Sequence, residues 1–108
     1  MLVYEGAFDT KSAASMSEVT LSRQALMAGQ TVTAMMHANR AIEFAPENAY
    51  ARGYMCLLLT DMGQTEAAIR ECSHAKSILL RDPLKDEPQR KNVLETVEAR
   101  LSRLGQQP

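Results

Sequence analysis

The sequence predicts an all-α protein made of antiparallel helical hairpins. Three observations carry that expectation. Apolar residues recur at helical spacing in five stretches, punctuated by Gly29, Pro46, Gly63, Pro83 and Gly105. A segment repeats at a fixed offset: Gly29-Gln30-Thr31 returns 34 residues later as Gly63-Gln64-Thr65. Five glycines and four prolines in 108 residues are too few for a turn-rich β-sandwich, whereas seven methionines, many alanines and few aromatics suit helices.

The first helix is expected over 15–28. Ser15 and Glu18 form a capping box at its start, and Gly29 stops it. A second runs over 31–45 to Pro46, which cannot continue it. Asn48 caps a third, which reaches Met62 before Gly63. The fourth starts at Thr65 and continues to about Leu80, where Asp82-Pro83 breaks the chain. A fifth begins at Asp86 with Pro88 in its first turn, carries Val93, Leu94, Val97, Leu101 and Leu104 at helical spacing, and ends at Gly105. The residues after Gly105 read as a loose tail. Before the first helix, residues 1–14 form an arm whose Leu2, Val3, Tyr4 and Phe8 are more apolar than a solvated tail requires. They are expected to pack on the first hairpin, on the groove described below or on a second molecule.

The offset of 34 extends beyond the glycines. Ala34 falls on Ala68, Ala41 on Ala75, Leu21 on Met55, Met35 on Ile69, Phe44 on Ile78 and Ser22 on Cys56. A 34-residue period of paired helices resembles the tetratricopeptide repeat (TPR) family. Leu21-Ser22 and Met55-Cys56 stand at the family's Leu-Gly pair, and Ala34, Ala38, Ala41 and Pro46 at its Ala, Phe, Ala and Pro positions. Ala68, Cys72 and Ala75 follow in the second copy. Small side chains at such places let two helices approach closely. The sequence departs from the pattern at Glu18 and Arg52, where the family has Trp, at Ala25 and Leu59, where it has Tyr, and at Leu80, where it has Pro. With Pro83 three residues later, the fourth helix should run nearly a turn longer than the second. The resemblance implies a short TPR-like α-solenoid of two repeats, 15–48 and 49–82, with 86–105 as a C-terminal capping helix.

It also implies a binding scaffold that holds a peptide or amphipathic helix in a concave groove lined by the first helix of each repeat. By position, the groove would present Met16, Val19, Arg23 and Leu26 from the first helix, and Tyr50, Gly53, Leu57, Thr60 and Asp61 from the third. TPR domains that clamp a chaperone's C-terminal carboxylate use a basic and Asn-rich set there. Val19, Gly53 and Leu57 do not supply it, which leaves a mixed apolar groove.

Length and charge bound the rest. The chain makes one domain that buries about two-thirds of its unfolded surface. Net charge is −1, with four basic and six acidic residues in 1–64 and eight and seven in 65–108, so nucleic-acid binding is disfavoured. The N-terminus lacks a signal peptide's charged and apolar regions, and the longest apolar run, 54–59, is too short for membrane insertion. Cys56 and Cys72 fall in apolar helical patterns and read as buried free thiols in a reducing, cytoplasmic compartment. Cys72 and His74 point to different helix faces, so no metal site is expected. No phosphate loop or nucleophile elbow is present, and no cofactor is expected. Arg90 and Arg100 are expected as solvated charges on the closing helix. The resulting expectation is a non-catalytic adaptor or chaperone-like module, with a small bacterial secretion chaperone as one version. The alternative is a self-associating structural protein, since two repeats are fewer than such arrays usually need and a homodimer would bury the missing surface.

Overall fold

The computed structural model describes the backbone of residues 2–105 and the side chains of residues 10–105. Among them, regular structure is entirely helical: α1 Leu2–Met27, α2 Thr31–Phe44, α3 Ala49–Asp61, α4 Thr65–Arg81 and α5 Pro88–Gly105. α1 packs chiefly on α2, and α3 on α4. α2 lies against α3, and α5 closes over α4 and α3. The first hairpin is antiparallel, because Ser22 meets Ala34, Glu18 meets His37 and Ser15 meets Ala41.

The two hairpin turns close with the same crossed pair of bonds at the offset of 34. Gln30 N–H donates to the Ala25 carbonyl at 2.8 Å and Gly29 N–H to Leu26 at 3.1 Å. Gln64 N–H donates to Leu59 at 2.9 Å and Gly63 N–H to Thr60 at 3.1 Å. This crossed pair is the Schellman closure, which needs a left-handed residue just past the helix. Gly29 and Gly63 supply it, at φ of 75° and 76°.

The small residues expected at the helix contacts are there. Ala34, Ala38, Ala41, Ala68 and Ala75 are fully buried. A core gathers Met55, Leu59, Cys56, Cys72, Val97 and Leu104, drawn from α3, α4 and α5. α4 has 17 residues against 14 in α2, the extra length expected from displacing the proline to position 83. The break after it is set by Asp82, whose side chain accepts from the Leu84 N–H at 2.8 Å.

Three expectations are overturned. The first helix does not start at Ser15, and residues 2–14 are not a separate arm; they continue α1. No breaker separates them from Ser15, and a Ser-x-x-Glu pattern inside a helix costs nothing when the serine has another partner. Ser15 is buried and donates to the Ala41 carbonyl at 2.7 Å. The packing of Leu2, Val3, Tyr4 and Phe8 and the tail after Gly105 lie outside the described side chains and residues. Second, Cys56 and Cys72 are buried but not free; they form a disulfide between α3 and α4, with Cα atoms 4.8 Å apart. Antiparallel packing sets the two residues opposite each other, so the pair of cysteines is a staple within one hairpin. It removes the support those residues gave to a reducing compartment. Third, α5 begins at Pro88 rather than Asp86, since turn bonds from Lys85 to Asp82 and from Glu87 to Leu84 occupy the preceding residues.

Candidate functional site, a trough between α1, α3 and α5

Helix α1 is fixed to the start of α3 by one small network. The Asn48 carboxamide oxygen accepts from the Tyr50 and Ala51 N–H groups at 3.1 and 3.3 Å, capping α3. Its amide donates to Ser15 Oγ at 2.8 Å. Ser15 thus ties α1 to α2 and α3 together, which sets Met16 and Tyr50 beside each other.

Two hollows open on either side of that Met16–Tyr50 pair. The larger, about 460 Å³, lies at the α2–α3 and α4–α5 connections and is walled by Lys11, Phe44, Pro46, Ile78 and Asp82. The smaller, about 230 Å³, lies between α1, α3 and α5, where Val19, Arg23 and Tyr54 face Gln89, Asn92 and Val93. Together they form a trough: the larger hollow is mainly apolar and the smaller one mixed, with amide, phenol, guanidinium, ammonium and carboxylate groups among the walls.

Arg90 organises the α5 wall. Its Nε donates to Asp82 Oδ2 at 2.9 Å, and its guanidinium carbon stands 6.0 Å from the Tyr50 ring centroid. The Leu84 N–H holds the Asp82 carboxyl below its ordinary range; burial opposes this and Arg90 assists. Burial raises the Tyr54 hydroxyl above its usual range, against the pull of Arg23 and with a small addition from Tyr50.

The structure brings together four of the nine expected groove residues: Met16, Val19, Arg23 and Tyr50. Val19 contributes little open surface, being packed against Ala41 and Ala51. The other five lie elsewhere. Leu26 is half-buried against Ala25, Ala34 and Leu58. Gly53 is covered by α5, and a Cβ there would stand 3.2 Å from Val93 Cγ1. Leu57 is half-buried and borders neither hollow. The Thr60 hydroxyl bonds back to the Cys56 carbonyl, and Asp61 pairs with Arg100 at 3.0 Å. For Gly53 and Asp61 the physical cause is α5, which lies along α3 and closes that stretch of groove; Leu26 is covered by the packing of α1, α2 and α3. Arg90 and Arg100, expected as solvated charges, are instead ion-paired and largely covered.

Sequence reasoning missed Tyr54 and the α5 wall. Tyr54 had a signal, since it follows Tyr50 by one helical turn. Gln89, Asn92 and Val93 had none, because which face of a closing helix turns inward depends on tertiary packing.

The hairpins also share a polar pair. Glu18 and His37 meet at 2.6 Å, and Arg52 and Glu71, each 34 residues on, meet at 3.1 Å with the acid on the other helix. Comparison with protein families, curated proteins and solved structures found no match to this chain. Among the described residues no helix is long and apolar enough to cross a membrane.

Proposed function

We propose that the chain is a non-catalytic protein-interaction module, a two-hairpin TPR-like solenoid closed by α5, which binds a segment of another protein in the trough centred on Tyr50. The observation that carries this reading is the trough itself: a mainly apolar larger hollow joined to a mixed smaller one, with half-buried Tyr50 shared by both. Such a surface anchors a side chain and orients a backbone. The crossed pair of closing bonds shared by the two turns supports the repeat interpretation. An adaptor or chaperone-like role follows from the same reading. Tyr50 is the expected anchor, since its ring offers apolar area at low entropic cost. Titration of a bound segment against Tyr50→Ala should show a loss of about 1–2 kcal/mol or more. Unchanged affinity would remove the trough as the binding face.

A self-associating homo-oligomer is favoured by a separate observation. Met55 is 7% exposed because α2 precedes it, whereas its repeat counterpart Leu21 is 42% exposed on α1. A second copy would cover that edge. Sedimentation of the chain and of Leu21→Lys tests it: a dimer dispersed by the substitution places the contact there, and a monomer at high concentration rejects it.

A further inference from the structure

The trough carries a charge pattern that its occupant must answer. Lys11 borders the larger hollow and Arg23 the smaller. Both are exposed, and neither has an ion-pair partner among the described residues. The acids beside the larger hollow are already engaged, Asp82 by Arg90 and Glu47 by Arg81. Among the described residues no carboxylate borders the smaller hollow. Among the charged side chains described at the trough, Lys11 and Arg23 are thus the ones left without a counter-charge, in a chain of net charge −1. Unpaired charge of one sign beside a concave surface favours occupants of the other.

Geometry narrows the occupant. Residues 11 and 23 stand about 18 Å apart along α1 at the helical rise per residue. Met16 and Tyr50 lie between them, shared by both hollows. A carboxylate at a chain terminus reaches one of these cations and leaves the other unanswered. A helix about 10 Å across is broad for hollows of about 230 and 460 Å³. An extended segment covers the distance in about five or six residues and sends alternate side chains into the surface.

We propose, on the basis of the interaction-module reading, that the trough binds an extended internal segment of a partner protein, acidic at both ends and apolar between. One carboxylate pairs with Arg23, the other with Lys11, and the apolar side chains between them fill the hollows beside Tyr50.

The test selects random linear peptides about twelve residues long, displayed with their C-termini fused, on the immobilised full chain. Arg23→Glu, Arg23→Gln, Lys11→Glu and Tyr50→Ala variants are run in parallel, each checked for unchanged helicity. Enriched sequences are expected to carry Asp or Glu on both sides of an apolar stretch, and Arg23→Glu should lose them. A synthetic acetylated, amidated peptide of the enriched sequence should bind at least tenfold more weakly to Arg23→Glu and at least threefold more weakly to Lys11→Glu. Its affinity should fall with added salt. Neutral or basic peptides that depend on Tyr50 would overturn the acidic assignment and leave the module reading standing. No enrichment, or enrichment indifferent to every variant, would overturn both. A requirement for a free C-terminal carboxylate would overturn the internal segment. A dimer dispersed by Arg23→Glu would make a second copy the occupant and overturn the proposal.

Discussion

Ala68 lies in the core between α3 and α4, with none of its surface exposed. A leucine there has no void to enter, so Ala68→Leu should destabilise the protein by about 1–3 kcal/mol. The urea midpoint measures it, and an unchanged midpoint would contradict the packing. This position was legible from sequence, because a small residue recurring at a fixed offset has a steric meaning that needs no tertiary information. The cysteines were not read correctly, though the same logic applied to them. Cys56 follows Ser22 at the offset and Cys72 follows Ala38, both residues that face the partner helix of their hairpin. Two cysteines in such places are opposite each other. An apolar helical setting suggests buried free thiols, but one bridge within a hairpin is a local matter of register.

At the scale of elements, that bridge closes a loop with a sequence separation of 16. Loss of a cross-link over such a loop costs about 3 kcal/mol in the chain-entropy account. Reduction should therefore lower the urea midpoint, and the Cys56→Ala, Cys72→Ala double variant should show no further response to reductant. Alkylation of the denatured, unreduced chain should add no mass; two added groups would show the thiols to be free. The α4–α5 junction makes a pH prediction. Asp82 has its pKa lowered in the folded state, so its contribution is present above the unfolded carboxyl value and lost as pH falls through the folded value. Acid should weaken this junction, and Asp82→Asn should remove that part of the acid dependence. The extents of α2 to α4 were legible because glycine, proline and asparagine set their ends. The start of α1 was not, since a capping pattern and a buried serine inside a helix look alike until the hydroxyl's partner on α2 is known.

At the scale of the molecule, α5 decides both closure and the shape of the trough. Most helix contacts are between chain neighbours, and one buried cluster joins residues of α2, α3, α4 and α5. α5 approaches α3 closely because Gly53 has no side chain. An ideal Cβ there stands 3.2 Å from Val93 Cγ1 and 3.8 Å from Val97 Cγ2. Alanine adds helix propensity of about 1 kcal/mol and asks Val93 to yield by a few tenths of an ångström, two effects that oppose each other. Leucine asks for much more: its branches would occupy the volume now held by Val93 and by Val97, which is 1% exposed. Gly53→Leu should therefore lift the N-terminal half of α5 while leaving α1 to α4 in place, held by their own buried alanines, the Ser15 and Ser22 bonds and the disulfide. Amide hydrogen exchange should show protection lost first and most in α5. Because Gln89, Asn92 and Val93 form one wall of the smaller hollow, the same variant should weaken binding of a segment held at Arg23 although Arg23 itself is untouched. Loss of protection spread evenly over all five helices would show instead that α5 is integral to a single cooperative core.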